Sequence, residues 1–280
     1  MPTKIEYTDH TWNPITGCSK DLVSSGCDNC YAKRIVEQRL SSHTNSHYRK
    51  VRFQPCILED AIKKPRVPKS GTVFIGDMGD MIGLREFYEE GVIITTDGSI
   101  EPLSIEVVDS AVNDVLRFVR SRPSQQFLIL TKRSKSLSAY DLAIQNLWVG
   151  VTICNQDEVW KLEDLVNSNA INKWLSIEPM IGEVRFNPKY LSQVQWVVCG
   201  GERTKKADAR PLHQLSVKLL SGACKKEGVA FFFKQEGSVS YLMPDFVSHL
   251  SKELPVALQG TQTGQLADII LPEKQLGLLV

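Results

Sequence analysis

The chain has almost no net charge: 33 basic residues face 32 acidic ones, a formal balance of +1. That removes the global positive field by which many proteins bind DNA or RNA regardless of sequence, and leaves only a local basic groove open. No apolar run reaches the ~20 residues needed to span a bilayer, so no membrane partner is expected. The opening residues, MPTKIEYTDHTWN, lack the apolar centre of a secretory signal. A cytoplasmic location follows as an expectation, and with it a reducing compartment where clustered thiols serve metals or catalysis more often than disulfides. Repeats of solenoid period and low-complexity tracts are missing, and no linker splits the chain. The 280 residues suit one α/β barrel or two modest domains, and the expectation is a single domain over 1–280.

What the chain does have is concentrated in one stretch. Residues 17–34 read GCSKDLVSSGCDNCYAKR, with Cys18, Cys27 and Cys30 spaced Cys-x8-Cys-x2-Cys. Sulfurs this close can point at one centre, as a metal ion or an iron–sulfur cluster requires. The alternative, free core thiols or a disulfide pair, fits poorly with so polar a loop and with the chelate spacing of Cys27 and Cys30. Tyr31 to Leu40 carries apolar residues at helical spacing, which sets Cys30 at a helix N-terminus, where thiolates and anionic clusters are stabilised. Cys56, Cys154, Cys199 and Cys224 are scattered, and Cys154 and Cys199 read as ordinary buried thiols.

Beyond a proline-bearing loop over 41–70, a pattern repeats. Apolar runs at 72–75, 126–130, 147–151, 173–177, 196–199 and 229–233 each have the length of a strand and are apolar on both faces. Amphipathic helical segments at Ser104–Arg120, Asp157–Val166 and Gln214–Lys226 lie between several of them. This alternation predicts α/β architecture with parallel strands. With a possible first strand at Thr11–Thr16, there are enough strands for a full or partial (β/α) barrel; a doubly wound open sheet is the runner-up. The strands end in polar residues: Asp77 and Asp80, Lys132 and Arg133, Glu178, Glu202 and Arg203, Lys234. Barrel enzymes work at that end, although strand ends are also polar simply because loops are.

Residues 91–102, with an Asp97-Gly98 turn between β-prone runs, predict a hairpin inserted after the second strand, at about 86–103. A surface decoration is the favoured reading over a substrate lid. Residues 238–280 are less regular and are expected to complete the barrel or cover its bottom.

Together these blocks resemble a known family. Thr11-Trp12-Asn13-Pro14-x-Thr16-Gly17-Cys18 and Gly26-Cys27-x-Asn29-Cys30-Tyr31-Ala32 look like the signature of a phage-associated three-cysteine-motif family regarded as radical-SAM-like. Leu130-Thr131-Lys132-Arg133, Trp148-Val149-Gly150-Val151-Thr152, Leu175-Ser176-x-Glu178-Pro179, Val198-x-Gly200-Gly201-Glu202, Ala209-Arg210-Pro211 and Phe232-Phe233-Lys234-Gln235-x-Gly237 follow in the family's order. The resemblance implies a radical-SAM-type TIM-like barrel. Cys18, Cys27 and Cys30 would hold three irons of a 4Fe–4S cluster, and the fourth iron would take S-adenosyl-L-methionine. It further implies that Asp77 and Asp80 meet the cofactor's amino group and that Glu178 and Glu202 meet its ribose. Lys132, Arg133 and Arg210 would face a carboxylate or phosphate, with Lys234 and Gln235 on the substrate side. For each of these the alternative is a salt bridge holding the rim together. The spacing departs from the usual Cys-x3-Cys-x2-Cys, and Asn29 stands where an aromatic residue is common.

The substrate is not named by any residue. The phage association makes a nucleotide or nucleic acid plausible, with Lys132, Arg133, Arg203, Lys205, Lys206 and Arg210 as a basic rim, and an electron-donor protein is implied. Two rivals remain. In one, the cysteines and a fourth ligand such as His10 or Cys56 hold structural zinc in a binding protein. In the other, a zinc hydrolase uses Asp80 or Glu178 as base.

Overall fold

The computed structural model describes residue 3, residues 5–44 and residues 46–259. Seven parallel strands make the main sheet: β1 (His10–Trp12), β2 (Val73–Ile75), β3 (Phe127–Thr131), β4 (Leu147–Thr152), β5 (Asn172–Ile177), β6 (Trp196–Gly200) and β7 (Ala230–Gln235). Their order in the sheet is their order in the chain, and each neighbouring pair is parallel. A doubly wound sheet reverses its strand order at a switch point. No reversal occurs here, so the partial barrel is the architecture found.

The sheet curls. Phe74 on β2 and Trp174 on β5 bring their rings to 6.2 Å, although three strand spacings of ~4.8 Å would hold them far apart on a flat sheet. Alternation along each strand divides the apolar residues between two faces. Phe74, Leu128, Trp148, Trp174, Trp196 and Phe232 fill the concave side. Val73, Phe127, Ile129, Val149, Leu175 and Val197 face outward into the larger core. Gly150 makes room on the concave side, where a Cβ would lie 2.4 Å from the Trp174 indole. Tyr7, ahead of β1, seats its ring 5.3 Å from that of Trp196.

The longer helices are α1 (Tyr31–Gln38), α2 (Ile105–Arg120), α3 (Lys161–Asn167) and α4 (Gln214–Glu227). In α2, Val108, Ala111, Val112, Val115, Leu116 and Val119 form the buried stripe expected of helical periodicity, and the Ser104 side chain caps the N-terminus by accepting from the Val107 amide. Gly228, left-handed at φ 70°, ends α4.

The predicted hairpin forms from Val92–Ile94 and Ile100–Pro102. It does not stand free on the surface. Val92–Ile94 also pairs with Cys56–Leu58, which pairs in turn with Ile15–Thr16. The hairpin thereby braces the segment that runs into Cys18. At the open side of the sheet, residues 251–253 run antiparallel to β7, with Phe233 donating to the Ser251 carbonyl and Glu253 to that of Phe231. Leu258 is buried in the concave cluster. The rest of the C-terminal segment, 260–280, lies outside the described residues.

Candidate metal centre

The cysteine loop lies across the C-terminal ends of the parallel strands. It begins at Gly17, whose positive φ of 76° and close approach to the Gln54 carbonyl suit glycine alone. Cys27 closes a 3-10 turn over Ser25–Cys27, and the Ser24 hydroxyl caps that turn. Cys30 sits at the N-cap of α1 and donates its amide to the Cys27 carbonyl at 3.2 Å. Cys27 and Cys30 therefore share one tight turn at a helix N-terminus, as their spacing predicts.

Loops from four strands grip this segment. After β2, the Met78 carbonyl accepts the Gly17 amide at 2.9 Å. After β3, the buried Arg133 reaches the Cys18 sulfur at 3.7 Å and the Asp21 carbonyl at 3.4 Å, with its guanidinium over the Phe87 ring. After β4, the Glu158 carboxylate accepts the Ser24 hydroxyl at 2.8 Å and the Ser25 amide at 2.9 Å. After β6, Arg210 donates to the Ser25 carbonyl at 2.8 Å and to Asp28 at 3.0 Å, while its Nε rests on Glu202 at 3.0 Å. Arg210 and Glu202, expected to meet substrate and ribose, are thus turned onto the cysteine loop. Arg133, expected to meet substrate, packs on Cys18. Asp80 gives its two oxygens to the amides of Gly83 and Lys132, at 2.9 and 3.0 Å, and ties the loop after β2 to the end of β3.

Lys132 stands at the centre. Its direction follows the concave alternation of Leu128 and Leu130, and its Cε approaches the space beside Gly26. Burial works against its ammonium, yet the thiols of Cys154, Cys27 and Cys30 and the Asp80 carboxylate hold its pKa above the ordinary lysine value. Burial and the Asp80 carboxylate push the Cys18 thiol up to about 12, against the pull of Arg133. Burial also opposes the charge on Glu158, but the Lys161 ammonium at 2.8 Å keeps its carboxyl below the usual range.

Deeper in the mouth, Glu178 faces Lys234 across 2.9 Å, and its other oxygen accepts Tyr7 Oη at 3.4 Å and Ser176 Oγ at 3.3 Å. The close Lys234 pair lacks hydrogen-bond alignment, so Glu178 Oε1 carries no directed bond. Burial raises the pKa of Asp77, whose carboxylate accepts Asn13 at 2.6 Å. Gln235 turns back to the Gly201 carbonyl at 3.0 Å. His10 lies at the opposite end of the sheet, opposite Val73 at the start of β2. Cys56 is buried in the side sheet, its thiol directed to the Ile57 carbonyl. Among the described residues, no three His, Cys, Asp or Glu side chains converge as a single metal ion would need.

Sequence reasoning missed Glu158, Lys161 and Tyr7, and it read Cys154 as plain core. Cys154 is buried directly beneath the loop, where a Cβ on Gly26 would lie 2.6 Å from its sulfur. Its place two residues beyond β4, in register with Gly150 and Thr152, was the available signal; Glu158 offered none.

A family profile matches residues 2–263, nearly the whole chain. The chain belongs to DUF5131, a family of proteins of unknown function. The match takes in the cysteine loop and every strand-end residue described above. No curated protein and no solved structure matches the chain.

Proposed function

We propose that this DUF5131 protein is a radical-SAM-type enzyme, with Cys18, Cys27 and Cys30 holding a 4Fe–4S cluster over the C-terminal mouth of the half-barrel. The observation that carries the reading is the cysteine loop itself: three thiols laid over that mouth and gripped from four strand ends. The donor set fits a cluster better than zinc. A single zinc ion needs four ligands drawn close together. Here neither suggested fourth ligand is placed to serve: His10 stands at the opposite end of the sheet, and the Cys56 thiol is directed to the Ile57 carbonyl. A cubane spreads its thiolates more widely, and three cysteines leave one iron open.

Such a cluster, when bound, would supply the one electron that splits S-adenosylmethionine into methionine and a 5′-deoxyadenosyl radical able to abstract hydrogen from a substrate. The protein's own residues have separate tasks. Arg133, Glu158 and Arg210 hold the loop in place. Asp77 and Glu178 keep oxygen atoms directed into the mouth for a cofactor amine or hydroxyl, and Lys234 is set beside them for an anionic group. The aromatic floor of Trp174 and Trp196 keeps water from the reacting centre. A cleft of about 220 Å³ beside Cys30 is lined by Lys33 and Arg34 but also by Asp28 and Glu37, so a nucleotide-like substrate rests on the family resemblance and not on the charge of this cleft. An electron-donor protein completes the reading.

The test is iron and acid-labile sulfide content after anaerobic purification. About four of each per chain is expected, lost in Cys30→Ala. About one zinc with no sulfide would overturn the cluster and favour a structural zinc site instead.

A further inference from the structure

We propose that Lys132 is the charge partner of the cysteine-held centre, a positioning residue that compensates its negative charge rather than a substrate ligand. The inference rests on the cluster reading above, and its test separates the two. Four observations carry it. Lys132 follows β3 on the concave side, and its Cε comes to 3.7 Å from the Cβ position of Gly26, the residue before Cys27. Its backbone is fixed by the Asp80 carboxylate at 3.0 Å, which sets the side chain's origin. Its ammonium has no hydrogen bond or ion pair among the described residues, unlike Lys161 and Lys234, which are both paired with carboxylates. The groups whose charge reaches it are mainly thiols from separate segments, Cys154 beyond β4 and Cys27 and Cys30 on the loop, with the Asp80 carboxylate, already bonded to two backbone amides, as the last.

An ammonium held among thiols, with no carboxylate in ion-pair contact among the described residues, has one evident use. Three thiolates and an iron–sulfur core carry net negative charge, and reduction adds another electron. In a partly desolvated mouth a nearby cation stabilises the reduced form more than the oxidised form. Lysine at this place therefore raises the reduction potential and strengthens binding of the anionic centre. Arg133, one residue on, is no substitute, because its guanidinium is engaged by Cys18, Asp21 and the Phe87 ring.

The experiment compares wild type, Lys132→Gln and Lys132→Arg after anaerobic reconstitution, by iron and sulfide content and by EPR-monitored redox titration. We expect Lys132→Gln to hold its cluster less tightly, by about ten- to a hundredfold, and to show a lower midpoint potential, with Lys132→Arg close to wild type. An unchanged potential and affinity in Lys132→Gln overturns the assignment. Loss of the cluster from both variants with unchanged circular dichroism and melting also overturns it, because a cation would then not suffice. If wild type takes up zinc and no sulfide, the cluster reading has failed, and Lys132 is judged on zinc affinity. A fall in Lys132→Gln that Lys132→Arg restores supports the charge role, and no change defeats it.

Discussion

Glu158 accepts the hydroxyl of Ser24 at 2.8 Å across 134 residues of chain. That bond ties the turn carrying Cys27 to the loop after β4. The same carboxylate neutralises Lys161, a fully buried lysine, at 2.8 Å. Removing one partner of a buried pair leaves the other charge uncompensated, at a cost of about 3–5 kcal/mol. We expect Glu158→Ala to lose stability on that scale in urea denaturation, and Glu158→Ala/Lys161→Met to recover much of it. A single variant within about 1 kcal/mol of wild type would show that the pair does not hold the loop.

Arg210 serves the same loop from the other side. It directs its donors to Glu202, Ser25 and Asp28. Because its work is geometric, Arg210→Lys should fail almost as badly as Arg210→Ala: an ammonium cannot reproduce the planar fork. Iron retention after reconstitution should drop about ten- to a hundredfold in both. Full retention in Arg210→Lys would mean that charge alone suffices there.

The fold responds to acid through His47. Burial depresses its pKa from the ordinary 6.5 to about 4, and its Nε2 lies 3.0 Å from the Thr16 hydroxyl. The folded value lies below the unfolded one, so the unfolded chain binds more protons between those limits. The contribution is complete above about pH 6.5 and is lost as pH falls toward about 4. Since the ring is partly open to solvent, the loss is of order 1 kcal/mol. Melting temperature measured from pH 7 to pH 4 should therefore decline less steeply in His47→Gln than in wild type. Equal slopes would remove His47 from the acid response.

The concave core tolerates no added volume at Gly150. A methyl there meets the Trp174 indole at 2.4 Å. Gly150→Ala should cost about 1–3 kcal/mol through overpacking, read as a lower melting temperature and altered tryptophan fluorescence. An unchanged melt would mean that Trp174 can step aside.

The strands and helices were legible because their signals are local. The runs at 147–151 and 196–199 are apolar on both faces, and α2 repeats its buried residues at helical spacing. The turn joining Cys27 and Cys30 was legible for the same reason, since two residues between them leave little choice of geometry. The hairpin was legible as a hairpin, but its partner strand at Cys56–Leu58 was not, because strand pairing is a long-range choice.

The roles of the charged residues divide along the same line. Sequence by itself determined which residues stand at the C-terminal ends of the strands, since those ends follow from the apolar runs. Only the tertiary structure decided what each faces. Arg133 turned to Cys18, Arg210 and Glu202 to the loop between Cys18 and Cys30, Asp80 to two backbone amides, and Glu178 to Lys234 and Tyr7. Glu158, unmarked in the sequence, became a principal anchor of the cysteine loop. Buried charges take the partners that the curled sheet brings within reach, because an unpaired charge in a desolvated site is costly. That reach depends on how far the sheet curls, a property of the assembled barrel and not of any one segment.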